Sequence, residues 1–210
     1  MQFQRFVPVL AFTLLGCSSS PEGPTKASVA SEAPEANWIQ ASPSLERQIE
    51  EHMAQVPYLQ QPDDFLREVD WFVRVGEPAY ETLLDVVRDP DPKVAGFALT
   101  VFAARGDARV VPHLASIPWP DGGTIEQNQL RYERARCHVK LGDWEPMSIL
   151  VEGLDDENLW NRAQCFKALR DETSLTFDYH PRLEATERQG AILRWREWLV
   201  ERNLDPLQQR

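Results

Sequence analysis

The chain has 210 residues, with 22 lysines and arginines against 33 aspartates and glutamates, a formal net charge of −11. A hydrophobic share of 42% is that of a folded chain, so disorder throughout is excluded. The acidity disfavours a phosphate backbone, so no nucleic-acid partner is expected, and three cysteines are too few for a disulfide scaffold.

Residues Phe6 to Leu15 form an apolar run broken by Pro8 and Thr13 and preceded by Arg5. Ten residues are too few to cross a bilayer core, which takes about 20, but suit the apolar stretch of an export signal. The run ends in Leu14-Leu15-Gly16-Cys17. These residues resemble the lipobox of bacterial lipoproteins. The resemblance implies a signal peptide over 1–16 and a Cys17 that becomes the first residue and carries acyl chains such as palmitate. Two or more chains anchor stably where one holds weakly. Ser18 after the cysteine implies outer-membrane sorting, facing the periplasm, in an organism with two membranes. The alternatives are an ordinary export signal with a chance cysteine, or a short cytosolic N-terminus.

Residues 17–43 are rich in Ser, Pro, Ala and Glu and keep neither a helical nor a strand period. They read as a lipidated, disordered tether whose ends lie about 25–30 Å apart on average. Trp38 is its one aromatic residue, expected to rest on the first helix or to touch lipid headgroups. The negative balance belongs to the remainder, since residues 44–210 keep 20 basic and 30 acidic side chains.

From Ser44 the pattern turns helical. Ser44 reads as an N-cap before Leu45, Ile49 and Met53. Pro62-Asp63-Asp64 starts a second helix with Phe65, Leu66, Val69, Phe72 and Val73 on one stripe, closed by Gly76. No useful stretch alternates with period two, so the body is expected to be all-α.

A glycine followed by an acid recurs at Gly76-Glu77, Gly106-Asp107 and Gly142-Asp143. Each precedes a short apolar helix, a turn and a second helix rich in small residues. The stretch from Asp89 to Asp107, DPDPKVAGFALTVFAARGD, resembles a HEAT-type (armadillo-type) repeat, with similar units around Arg134-Ala135-Arg136-Cys137 and Arg162-Ala163-Gln164-Cys165. The resemblance covers residues 77–170. It implies an α-α superhelix of about three to five helix pairs over 44–204, ahead of a tail at 205–210. Ala98, Cys137 and Cys165 fall at one inner position. The middle turn, with Trp119 and Gly122-Gly123, is longer than the family's. Phe177-Asp178-Tyr179-His180-Pro181 and the helix carrying Ile192, Trp195, Trp198 and Leu199 resemble the closing element of some bacterial HEAT-repeat proteins.

Cys137 and Cys165 read as buried apolar fillers rather than a disulfide. Equivalent positions on packed helices stand about 8–10 Å apart, and a disulfide needs about 4.4–6.8 Å. Adjacent Cys137 and His138 point about 100° apart and chelate poorly. His52, His113 and His180 stand alone in sequence, so no metal is expected. Asp89-Pro90-Asp91-Pro92 lacks the later ligands of a calcium loop and fits a capped turn. No nucleophile elbow, P-loop or dinucleotide motif is present, and neither a cofactor nor an enzyme is expected. Arg134 and Arg162 are equivalent, with Arg131, Arg136 and Lys167 nearby. They form either a basic stripe for an anionic partner or ties to their own turns, as from Arg162 to Asp155 or Asp156. Trp71, Trp160, Trp195 and Trp198 are expected in the core, and Trp119 and Trp144 as exposed anchors. The expected function is a non-catalytic, protein- or peptide-binding scaffold anchored in the cell envelope. The alternatives are a purely structural envelope protein or a HEAT-like lyase.

Overall fold

Prolines start three of the helices in the computed structural model, which describes residues 37–204. They are Pro43 of α1 (Pro43–Met53), Pro62 of α2 (Pro62–Val75) and Pro92 of α4 (Pro92–Arg105). A proline fits there because its missing N–H has no partner in the first turn. The cap of α1 is Ser42, whose hydroxyl accepts from the Leu45 N–H at 3.3 Å. This corrects the expected cap at Ser44, because Pro43 pre-sets the first helical φ one residue earlier than the apolar stripe suggests. Asp91 caps α4 by accepting from Lys93 N–H at 2.9 Å, and Asp89 accepts from Asp91 N–H at 2.8 Å. The acidic proline turn is thus spent on capping. Gly76 and Gly106 close α2 and α4 with φ of 69° and 72°, a backbone region that side chains disfavour.

The remaining helices are α3 (Tyr80–Val86), α5 (Val111–Ser116), α6 (Ile125–Lys140), α7 (Met147–Glu152), α8 (Leu159–Thr173) and α9 (Ala185–Glu201). The described residues are all-helical, with no strand among them. Helices α2, α4, α6 and α8 pack side by side in chain order. Helix α3 packs on α4, α7 packs on α6 and α8, and α9 packs on α7. A 3₁₀ turn leads into α3 and another into α5, and one follows α7.

Helix α6 separates two cores. On one side Cys137 and Leu141 join Phe72, Phe97, Phe102, Leu83 and Leu114. On the other, Tyr132, Ala135 and Val139 join Met147, Leu150, Cys165 and Trp195. Burying each large apolar side chain is worth about 1.5–3 kcal/mol, so these two clusters carry the fold. Helix α9 closes the second core with Ile192, Trp195 and Leu199 all buried. Phe177 meets Trp195 edge to face at 4.8 Å, and the buried Tyr179 hydroxyl donates to Leu154 O at 2.6 Å.

Three apolar expectations need correcting. Trp160 is 60% exposed, because it lies one position round from the buried stripe of Asn161, Cys165 and Leu169 on α8. Leu66 is likewise exposed, while Phe65, Val69 and Phe72 of the same helix turn inward. Trp38, expected on the first helix or at lipid headgroups, packs on α3 and α5. Its ring meets Tyr80 at 5.0 Å and His113 at 5.1 Å, with the Arg109 guanidinium 5.6 Å from its centroid. The segment expected to be tether through residue 43 is therefore packed on the body from Trp38 onward. The expected signal peptide, Cys17, most of the expected tether and the tail at 205–210 lie outside the described residues.

Candidate functional site

The side-by-side packing of α4, α6 and α8 leaves a groove of about 270 Å³ on one face. Helix α4 gives its wall Leu99 and the smaller Thr100, Ala103 and Ala104. Helix α6 contributes Glu133, Arg136, Cys137 and Lys140, and α8 contributes Lys167, Ala168, Asp171 and Glu172. The positions follow from helical geometry, since Glu133, Arg136 and Lys140 recur at i, i+3 and i+7 along one stripe. A second hollow between α2, α4 and α6 shares Thr100 and Glu133 with the first, so the two are continuous along α4 and α6. Trp160 stands seven residues before Lys167 on the same stripe of α8.

The groove's charges are paired within the protein. Arg136 donates to both Glu133 oxygens at 2.7 and 2.8 Å. Lys140 reaches across to Glu172 at 3.2 Å, and Lys167 reaches Asp171 at 2.5 Å. Burial raises the Glu133 carboxyl above its ordinary range, opposed by the Arg136 charge. Burial also pushes the Cys137 thiol up to about 12, so it is no nucleophile near neutral pH. Cys165 is buried, shifted upward for the same reason and, like Cys137, a free thiol.

The arginines proposed for a basic stripe are placed differently. Arg134 is only 2% exposed. Its guanidinium donates to Pro118 O at 2.7 Å, to Ile117 O at 2.5 Å and to Leu114 O, and lies 4.3 Å from the Trp119 ring centroid. Arg134 therefore cannot belong to a surface stripe. It closes the end of α5 and holds the long middle turn. Arg162 donates to Pro181 O at 2.8 Å, Asp156 O at 2.8 Å and Glu157 O at 2.9 Å. It does tie its turn, through backbone carbonyls rather than through the Asp155 or Asp156 carboxylates. Arg131 pairs with Glu152 at 2.8 Å. Trp119 is half-buried over Arg134 and 5.4 Å from His138. Trp144 is half-buried against Trp198 at 6.4 Å. These two serve packing in the described structure more than display.

The histidines occupy separate places. His138 is buried, bonded through Nδ1 to Asp143 at 2.8 Å, and its Nε2 has no partner. His52 stacks on Trp71 at 3.8 Å and bonds Glu68 at 2.6 Å. No cluster of metal-ligating side chains occurs among the described residues.

Sequence reasoning named Arg136 and Lys167 only as neighbours of the arginine stripe. It missed Glu133, Lys140, Asp171 and Glu172, although their shared helical stripe was readable once α6 and α8 were set side by side. No protein-family model, curated protein or solved structure matches this chain.

Proposed function

We propose that the chain is a lipid-anchored envelope protein whose HEAT-like helical array holds a protein or peptide partner without catalysing a reaction. In this reading α2 to α8 form successive turns of a short superhelix, α9 closes it, and Cys17 carries the lipid. The groove over α4, α6 and α8 is the observation that carries the binding part. It joins a floor of small residues to walls of both charges, which suits an extended segment of another protein laid across several helices. The groove favours a binding role over a purely structural one. An enzyme reading would start from Glu133, but both of its oxygens accept from Arg136, and the nearest thiol is protonated and buried.

Two changes test the reading separately. Lys167→Glu with Lys140→Glu reverses two groove charges at exposed positions and is expected to lower partner capture at least tenfold with the fold intact. Unchanged capture contradicts the groove as the docking face. Cys17→Ala is expected to release the protein from the membrane fraction, and retention there contradicts the lipid anchor.

A further inference from the structure

Six of the seven tryptophans rest a ring on another ring: Trp38, Trp71, Trp119, Trp144, Trp195 and Trp198. Trp160 meets no ring or cation and belongs to neither core. Its place is nevertheless fixed, because its backbone N–H donates to the capping Asn158 Oδ1 at 2.8 Å. A large, open indole on a capped helix has the character of an interface anchor.

The side chains around it decide what it would hold. Helices α6 and α8 run side by side in one direction, since Lys140 meets Glu172 near their ends while Ile125 and Asn128 share a hollow with Glu157 and Asn158 at their starts. Trp160 therefore stands beside the first turns of α6. There the stripe of Glu133, Arg136 and Lys140 continues back through Gln129 and Glu126, which line the hollow that adjoins the groove.

The charges at this end differ from those deeper in. In the deeper part Glu133, Lys140 and Lys167 each have a partner. Glu126 and Glu157 are exposed, and neither carboxylate has an ion pair or side-chain hydrogen bond among the described residues. The cations of the same two helix starts are already engaged. Arg131 pairs with Glu152, and Arg162 is bonded to the carbonyls of Asp156, Glu157 and Pro181. An exposed indole face with an unpaired carboxylate on either side complements a positive charge and repels a negative one.

We propose that Trp160, Glu126 and Glu157 form a seat for a cationic side chain, arginine or lysine, of the partner segment held in the groove. The assignment of that cation to a groove-bound segment rests on the groove reading. The seat itself is tested without the natural partner, using acetyl-tetraarginine amide as the probe and the tetraglutamine and tetraglutamate peptides as controls.

The full-length chain, carrying fluorotryptophan and held in detergent micelles, gives one fluorine NMR signal per tryptophan, and Trp160→Phe assigns that of Trp160. Tetraarginine is expected to move the Trp160 signal saturably and the other six little, and the two control peptides to leave it in place. Anisotropy of the dye-labelled peptide should show binding weakened at least fivefold by Trp160→Ala, and at least fivefold by Glu126→Gln with Glu157→Gln. Trp160→Phe should keep part of the affinity. No shift at Trp160, an equal shift with tetraglutamine, equal shifts at several tryptophans, or affinity unchanged in either variant overturns the seat. The groove is judged apart, by Lys167→Glu with Lys140→Glu. Lost capture in that variant alongside a failed titration removes the seat and keeps the groove, and the converse pair of results keeps the seat and removes the groove.

Discussion

Around the first core, Phe65, Phe72 and Phe97 meet edge to face at 5.4–5.5 Å, and the turn before α4 is closed by two aspartates at the surface. From α6 onward, the protein buries what the earlier helices keep out. Arg134, His138, Asn161 and Arg188 are the buried polar or charged residues among those described, and all lie from α6 onward. The difference follows from the connections. The acidic proline turn is short and satisfies its own N–H groups. The connection from Ile117 to Thr124 and the loop from Ser174 to Glu184 leave carbonyls turned inward, where only a side-chain donor reaches them. Arg134 supplies two bonds to the first and a third to Leu114 O at the end of α5, and Arg162 and Arg188 supply theirs around the second, including Arg188 to Leu183 O at 2.6 Å. An unpaired buried carbonyl costs about 1–3 kcal/mol, so arginine is used as a structural donor.

That contrast breaks first at Arg134. Arg134→Leu leaves the carbonyls of Ile117 and Pro118 without their side-chain donor, while Leu114 O keeps the Ile117 N–H at 3.1 Å, and is expected to cost about 3 kcal/mol. Lys93 is the nearest counterpart in the first half, half-buried and bonded to Pro57 O at 2.9 Å and to Leu59 O. Lys93→Met should cost about 1 kcal/mol. Urea unfolding of the two variants compares them, and equal losses would remove the distinction.

Gly153 gives the next largest effect. A Cβ there would collide with the Cys165 sulfur and come within 3.0 Å of the Tyr132 ring. Gly153→Ala is expected to cost about 2 kcal/mol. Adding Cys165→Ala should recover part of it, and a double-mutant cycle with no coupling would show that this contact is not the cause.

Acid should weaken the second half through His138. Burial holds its imidazole below the ordinary 6.5, with the Asp143 and Glu145 carboxylates opposing the shift and the Arg134 charge adding to it. Because the unfolded chain takes up this proton first as the pH falls, the contribution is fully present above about 6.5. It is lost as the pH falls through 6.5 toward the folded value. His113, in the first half, is shifted the same way by burial alone. His138→Gln is therefore expected to flatten the fall of the unfolding midpoint between pH 7 and pH 5, and His113→Gln to flatten it less. Identical pH profiles in His138→Gln and wild type would contradict the assignment.

The smallest effect is expected at Trp160. Trp160→Ser should change stability by under about 0.5 kcal/mol, as for exposed positions without packing partners. A loss above about 2 kcal/mol would put this ring back in the core, where periodicity first placed it.

How much was readable follows the same division. The helical class, the three Gly–acid junctions and the stripe of α9 come from apolar periodicity and capping chemistry, both local in sequence. The burial of Cys137 and Cys165 followed from their equivalence with Ala98. What escaped was non-local. Nothing near Arg134 in sequence announces the carbonyls of Leu114 and Ile117, so a basic residue on a second helix looked like surface charge. Trp38 was mistaken for the same kind of reason, because its partners stand 42 and 75 residues away. Trp160 shows the converse error: it lies on a helical stripe, but on the exposed one that carries Lys167 rather than the buried one of Asn161, Cys165 and Leu169. In the groove, the pairing of Lys140 with Glu172 required knowing that α6 and α8 are neighbours.

The central claim is that the face formed by α4, α6 and α8 is where a partner docks. A photo-crosslinking side chain at Lys167, compared with the same group at Ala115, tests it in native membranes. The account predicts one discrete adduct from position 167, lost when Lys140 is reversed to Glu, and none from position 115. Adducts of equal yield from both positions, or from 115 alone, would contradict it.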